Sequence, residues 1–278
     1  MATPATRSFP LLRLRAALWP FRTHPFAEAT LGGSPAGTLV RRRLFGRTVW
    51  LDVSRSSTHR LLYLTGERLV EERHLLRREI RPGMRVADVG ANIGYYMLLM
   101  AQLVGPTGWV HCFEPDPDNL AELRRNRTAN GLENVRVSAA AVGERDGITA
   151  FRPGLNGTVC APGAAGLTVD VVRLDSAWEG ALDFVKIDVE GYEGQVLQGA
   201  LGLIERHRPT LFVEVHPWLL QAPFTPEAVL DLLRPYYGPP KAFARRPSAR
   251  GRAGATDRAR GPTCLREQVS GFRFQWGL

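Results

Sequence analysis

The chain has 278 residues, with 36 Lys or Arg against 27 Asp or Glu, a formal net charge of +9 and a pI of about 10.2. A hydrophobic content of 44% excludes a wholly disordered chain, and the length allows one large domain or two small ones without disulfide staples. The basic total suggests a phosphate-bearing partner, but the charge is uneven: residues 1–80 carry +8, residues 81–233 carry −7 and residues 234–278 carry +8.

The first 36 residues are interpreted as a basic N-terminal arm. Arg13 and Arg15 interrupt what would be the apolar stretch of a signal peptide, and no apolar run in the chain approaches the ~18 residues that span a bilayer. Three widely spaced cysteines, Cys112, Cys160 and Cys264, offer no disulfide framework and no CxxC metal site. We therefore expect a reducing, cytoplasmic location.

Residues 37–80 are predicted to form an N-terminal hairpin and helix. Residues 38–53 read as two short strands around Gly46, and the leucines of residues 58–80 recur at helical spacing, which Gly66 weakens in the middle. Arg81-Pro82-Gly83 then ends the helix.

Residues 81–237 alternate between apolar strands and helices. Strands are predicted at 84–90, 109–115, 134–143, 183–191 and 209–217, and helices at 93–104, 117–130, 192–207 and 226–233, with an inserted β segment at 147–175. Five continuous apolar strands separated by helices predict an α/β fold, in which a mostly parallel sheet is covered by helices on both faces. Ligands bind such sheets at the carboxyl ends of the strands, where the strand order reverses.

The regularity ends after Tyr237. Residues 238–262 consist mainly of Gly, Pro, Arg, Ala and Ser without an apolar period, and only the final VSGFRFQWGL could form a strand. We hypothesise that residues 238–278 are an Arg-rich tail, disordered or aberrant, in which case the sheet would have an exposed edge.

The first strand of this domain runs into a turn that suits a cationic ligand. Its end reads Gly90-x-Asn92-x-Gly94 with Asp88 two residues earlier, which differs from the GxGxxG of dinucleotide-binding proteins. An acid at that place repels phosphates but favours an ammonium or sulfonium group, so the turn suits S-adenosylmethionine better than a dinucleotide. Glu114 ends the second strand, twenty residues on, where a carboxylate can accept both ribose hydroxyls.

Charged residues also gather at the ends of two later strands. With a period of two, Lys186, Asp188 and Glu190 share one face of the fourth strand, which is costly unless they are paired or emerge at a site. Glu214 and His216 share a face at the end of the fifth strand, and His216 could take a proton there.

The motifs DVGANIGYY, FEPDP, AAVG, DFVKIDVEGYE and PTLFVEVHP follow one another in this order. The stretch, about residues 71–233, resembles the FkbM family of S-adenosylmethionine-dependent methyltransferases. The resemblance implies a class I (Rossmann-like) methyltransferase fold and methyl transfer, usually to an oxygen of a sugar, polyketide or other natural product. It also implies these cofactor contacts: Asp88, Gly90, Asn92 and Gly94 at the methionine end, Glu114 at the ribose, Asp188 beside the transferred methyl, and the backbone around Ala141 and Val142 at the adenine. Such folds usually finish with two further strands, one of them antiparallel, for which the chain offers only its final segment as a candidate.

The catalytic candidates are His216, Asp188 and Glu190. We nominate His216 and Asp188 as the general base that removes the acceptor proton, with Glu190 and Glu214 as neighbours that tune them or hold a divalent cation. The sequence assigns no metal site.

Two other interpretations stay open at this point. One is an NAD-type oxidoreductase on a similar sheet, which the glycine spacing disfavours. The other is an RNA-binding, RNA-methylating or inactive relative that uses the Arg-rich flanks, although these lack RGG repeats. We expect a small hydroxylated acceptor, no nucleic-acid partner and no membrane span; the sequence fixes neither the acceptor nor the oligomeric state.

Overall fold

The computed structural model describes residues 31–68, 70–154, 157–160, 163–243 and 272–276. The first elements are β1 (Leu39–Leu44), β2 (Arg47–Asp52), α1 (Ser57–Thr65) and α2 (Val70–Glu79). There follow β3 (Arg85–Val89), α3 (Tyr95–Val104), β4 (Trp109–Phe113), α4 (Pro117–Thr128), β5 (Val135–Ser138), β6 (Ala140–Val142), β7 (Gly147–Arg152), β8 (Thr158–Val159) and β9 (Leu167–Val172). The remaining elements are α5 (Leu174–Ala177), β10 (Phe184–Ile187), α6 (Glu193–Gln198), α7 (Leu201–His207), β11 (Thr210–Val215), α8 (Pro226–Leu233), β12 (Lys241–Phe243) and β13 (Phe272–Trp276).

A seven-stranded sheet forms the centre of the protein. Its strand order is β12-β13-β11-β10-β3-β4-β5, and the five strands from β11 to β5 are parallel to one another, as predicted. Buried side chains of α3 and α4 cover one face, while those of α6, α7 and α8 cover the other. The parallel strands read as continuous apolar runs because both of their faces are buried.

The N-terminal hairpin is confirmed and is tied to the central domain. β1 and β2 pair antiparallel around Gly46. The outer edge of β2 receives side-chain hydrogen bonds at the end of α4: Asn126 Oδ1 accepts from Trp50 N at 2.7 Å, and Asn130 Oδ1 accepts from Thr48 N at 2.8 Å. An edge that would otherwise expose unpaired backbone groups is thus satisfied.

Three predicted elements are divided in the structure. The strand predicted over 134–143 is two strands, because β5 belongs to the central sheet while β6 pairs with β9 in a separate four-stranded sheet of order β6-β9-β7-β8. That second sheet contains the β segment predicted at 147–175. The helix predicted over 192–207 breaks between α6 and α7, where Gly199 packs on the carbonyl of Gly143. The helical pattern of 58–80 forms α1, which ends on Gly66 with φ 74°, and α2.

Two short segments beyond Tyr237 belong to the central sheet. β13 pairs antiparallel with β11, and β12 pairs antiparallel with β13, so the sheet has the two additional strands that such folds usually carry. The domain boundary after residue 237 remains a prediction, but these eight residues beyond it are hydrogen-bonded to the domain. Residues 1–30 of the predicted arm, and residues 244–271, lie outside the described residues. Among the helices that the structure describes, none has the length and apolar character needed to cross a membrane.

Candidate methyl-transfer site

A cleft opens at the carboxyl ends of β3, β4 and β10. The chain runs from β3 outward to β4 and β5, then crosses to β10 and β11, so the strand order reverses beside β3. This is where an open α/β sheet leaves a crevice for a ligand. The residues that line it include Arg68, Gly90, Asn92, Glu114, Asn119, Ala141, Val142, Phe151, Asp188, Glu190 and Tyr192.

The turn after β3 is shaped by backbone contact. Gly90 has φ 81°, and a Cβ added there would lie 2.0 Å from the carbonyl oxygen of Asp188, so a side chain would push β3 away from the end of β10. Asn92 has φ 51° and lines the cleft, as does Gly90. Gly94 is not among the lining residues. Its missing side chain makes room for Leu123, and its assignment to the cofactor remains a prediction.

Glu114 lies in the cleft and is fixed by the backbone around it. Its Oε2 accepts from Asn92 N at 2.8 Å, and its Oε1 accepts from Asp116 N at 2.9 Å. Burial raises the pKa of Glu114 to about 7 although these N–H donors oppose the rise. Each carboxylate oxygen has a second lone pair, so hydroxyl groups of a bound ribose could still donate to it. Ala141 and Val142 of β6 also form part of the wall, and their assignment to the adenine remains a prediction.

Asp88 is not among the lining residues, and its assignment at the methionine end remains a prediction. Its side chain is fully buried on the face of the sheet covered by α3, and its Oδ1 lies 3.9 Å from Nζ of Lys186 on the neighbouring strand. Successive residues of a strand point to opposite faces, and this register places Asp88 beneath the site. Burial raises the pKa of Asp88, and the Lys186 charge opposes that rise.

Asp188 lies at the boundary between this buried layer and the cleft. Its Oδ2 is 3.3 Å from Lys186 Nζ and 3.6 Å from a guanidinium nitrogen of Arg68. Burial alone would raise the pKa of Asp188, but Lys186, Arg68 and His216 outweigh burial and hold it well below its usual range. Asp188 is therefore a fixed negative charge in the cleft wall and a weak proton acceptor.

His216 stands behind the cleft wall among four carboxylates. Its Nδ1 donates to Glu193 Oε1 at 2.8 Å. Its Nε2 lies 3.5 Å from Glu190, 3.9 Å from Glu214 and 4.0 Å from Asp188, measured to the nearest carboxylate oxygen. Burial would lower the pKa of His216, but the bond to Glu193 and the surrounding charges raise it to about 9. The imidazole is thus a cation at neutral pH.

Glu190 is the member of this cluster that lines the cleft next to His216. Burial raises its pKa to about 7 against the opposing charge of His216. The sequence analysis placed Glu190 by the alternation of side chains along a strand, but β10 ends at Ile187. Glu190 lies in the turn that follows, with φ 53°. It nevertheless meets His216, since the turn carries its side chain toward the end of β11.

Three members of the cluster have metal-ligand spacing. One donor atom each from Asp188, Glu214 and His216 lies within 4.8 Å of the others. Asp188 also pairs with Lys186 and Arg68, and His216 with Glu193, so these groups already have protein partners.

Arg68 and Glu193 were missed by the sequence reasoning. Glu193 occurs within the motif DFVKIDVEGYE, and its position two residues after a turn glycine could have drawn attention to it. Arg68 belongs to the segment between α1 and α2, where no pattern pointed to a ligand.

Several known methyltransferases are similar to this chain in sequence. The family described as the methyltransferase FkbM domain matches residues 88–238, more than half of the chain. The 31-O-demethyl-FK506 methyltransferase FkbM of Streptomyces tacrolimicus is 46% identical over 70 residues, which are 25% of this chain and 26% of that protein. The 2-O-methyltransferase NoeI of Sinorhizobium fredii is 26% identical over 178 residues, covering 55% of this chain and 72% of that protein.

Among solved structures, the methyltransferase FkbM of Methylobacillus flagellatus KT has a TM-score of 0.46 and 21% identity, covering 78% of this chain and 54% of that one. The alignments with the first curated relatives span only about a quarter of their length. The family match excludes the oxidoreductase interpretation, and the cofactor that it implies suits a cleft lined by three carboxylates. By its motifs, its sheet and its cleft, the chain belongs to the FkbM family of S-adenosylmethionine-dependent methyltransferases.

Proposed function

We propose that this methyltransferase acts on a hydroxyl group of a sugar or natural-product acceptor, and that Glu190 paired with His216 removes the hydroxyl proton. The observation that carries the proposal is the position of Glu190, which lines the cleft with its Oε2 3.5 Å from His216 Nε2. The names of two relatives, a 31-O-demethyl-FK506 methyltransferase and a 2-O-methyltransferase, support oxygen as the acceptor atom.

The chemistry requires alignment and a proton acceptor. The bound cofactor supplies a methyl group on a sulfonium, which needs no further activation. Holding the acceptor oxygen in line with the carbon–sulfur bond can supply roughly 7–11 kcal/mol. A base with a pKa near the working pH adds about 10²–10⁴-fold.

The three catalytic candidates have different roles in this proposal. Asp188 stays ionised and would face the sulfonium of a bound cofactor. His216 stays protonated and stabilises ionised Glu190, while its bond to Glu193 fixes the ring. Glu190 accepts the proton because its pKa of about 7 allows both forms near neutral pH. The base role nominated for His216 and Asp188 thus passes to Glu190, with His216 as a positioning residue.

Labelled methyl transfer from the cofactor to a panel of hydroxylated acceptors tests the proposal. With an acceptor in hand, Glu190→Gln is expected to lower turnover by about 10²–10⁴-fold while S-adenosylhomocysteine still binds with an affinity near that of the wild type. The matched control is Glu227→Gln, an exposed glutamate at the start of α8, which should leave turnover unchanged. Wild-type turnover in Glu190→Gln, or methyl transfer to RNA and to none of the hydroxylated small molecules, would overturn the proposal.

A further inference from the structure

We propose that Arg68 binds the α-carboxylate of the cofactor's amino-acid moiety. Arg68 belongs to the N-terminal hairpin and helix segment (residues 37–80), called the N-terminal extension below. The extension would then complete the methionine end of the cofactor site. The inference rests on the family's cofactor and is independent of the acceptor proposed above.

The charged groups that line the cleft are mostly acidic, so the cofactor's carboxylate needs a cationic partner there. Among the described residues that line it, Arg68 is the only basic one, while Glu114, Asp188 and Glu190 are acidic. The sulfonium and ammonium groups of the cofactor suit these acids, but its α-carboxylate would be repelled by them. A buried charge without a partner is costly, so the carboxylate needs a donor at the end where Arg68 lies.

The geometry of Arg68 leaves it able to take a second carboxylate. Its terminal nitrogen lies 3.6 Å from Asp188 Oδ2, an ion pair beyond hydrogen-bond distance. Its guanidinium carbon lies 5.6 Å above the Tyr96 ring, and 33% of its side chain is exposed. A guanidinium carries five N–H donors in a planar fork that matches a carboxylate, so one group can hold Asp188 and a ligand together.

Arg68 is also tied to the turn that would face the same part of the cofactor. Its backbone N–H donates to the hydroxyl of Tyr95 at 3.3 Å, and that hydroxyl donates to Glu67 Oε1 at 2.6 Å. Tyr95 is the first residue of α3, directly after the turn that begins at Gly90. The backbone of Arg68 is thus fixed beside the cleft wall.

Calorimetric titration with two ligands tests the assignment. One ligand is S-adenosylhomocysteine, and the other is its decarboxylated analogue, which keeps the amine and the thioether but lacks the carboxylate. Arg68→Met is expected to lower the affinity for S-adenosylhomocysteine by roughly 10- to 100-fold, the effect of a charge-assisted hydrogen bond. Its affinity for the analogue should stay within about 2-fold of that of the wild type. Arg145→Met, which removes an exposed arginine, is the matched control and should change neither affinity.

A second variant keeps Arg68 and removes its tether. Tyr95→Phe should lower the affinity for S-adenosylhomocysteine by about 3- to 10-fold, the effect of about one hydrogen bond, and should leave the affinity for the analogue unchanged. An equal loss for both ligands in Arg68→Met would mean that the arginine only supports the fold, and an unchanged affinity for S-adenosylhomocysteine would mean that it does not contact the carboxylate; either result overturns the inference. A wild type that binds S-adenosylhomocysteine but methylates no hydroxylated acceptor would overturn the proposed function alone.

Discussion

Lys186→Met is expected to lower the free energy of unfolding by about 3–5 kcal/mol, the usual cost of breaking a buried ion pair from one side. The Lys186 side chain is 2% exposed, and its Nζ lies between Asp188 at 3.3 Å and Asp88 at 3.9 Å. Without the cation, Asp88 stays buried, and neither of its oxygens accepts a hydrogen bond from the part of the chain that the structure describes. Domains are stable by about 5–15 kcal/mol, so this loss is a large fraction of the total.

A second substitution distinguishes the contributions of Asp88 and Asp188 to the loss of stability. Asp88→Asn in the Lys186→Met background removes the uncompensated charge and should restore at least about 1 kcal/mol. Asp188→Asn in the same background should restore less, because Asp188 retains Arg68 and His216 as partners. Since burial raises the pKa of Asp88, its contribution favours the folded state at low pH and is lost as pH rises. The stability deficit of Lys186→Met should therefore shrink as the pH is lowered.

Urea unfolding followed by tryptophan fluorescence measures these differences, and an unchanged m-value confirms that the unfolded states are comparable. Arg234→Met is the control, because the ion pair of Arg234 with Asp231 is exposed and should contribute at most about 0.5 kcal/mol. The reasoning fails if Lys186→Met is as stable as this control, or if Asp88→Asn restores nothing.

Three further predictions concern the site and the sheet. Turnover should increase with pH with an apparent pKa near 7, because Glu190 must be ionised to accept the proton. His216→Gln removes a positive charge beside Glu190 and should move this increase to higher pH by about 1–3 pKa units. An identical pH profile in the variant would contradict the pairing of Glu190 with His216. Gly90→Ala should weaken S-adenosylhomocysteine at least about 10-fold in calorimetry, since its Cβ would lie 2.0 Å from the Asp188 carbonyl oxygen, and a preserved affinity would show that the turn adapts. Deletion after Tyr237 should lower the melting temperature by several degrees because it removes β12 and β13 and exposes the edge of β11; an unaltered melt would instead support the hypothesis of an aberrant tail.

The local pattern predicted most of the central architecture. Apolar runs of strand length, separated by helical spacing, gave the five parallel strands and the helix Pro226–Leu233 with its observed bounds. The apolar pattern did not predict that the strand at 134–143 divides into β5 and β6, because it does not reveal which neighbouring strand each half pairs with. The two strands after Tyr237 were obscured for a related reason: β12 has three residues, and its partner β13 begins at Phe272, far along the chain.

The sequence by itself determined the class of the protein, since turn residues, apolar periods and the acidic charge of the middle segment are properties of neighbouring residues. The tertiary structure decided which charged residues act together. Asp88 and Asp188 are alike as sequence, yet one is buried beside Lys186 and the other reaches the cleft. Arg68 enters the site from a segment with no recognisable motif, and the pKa of Glu190 depends on burial and on His216, which is distant in sequence. Desolvation and charge pairing act through space, so they became visible only once the chain was folded.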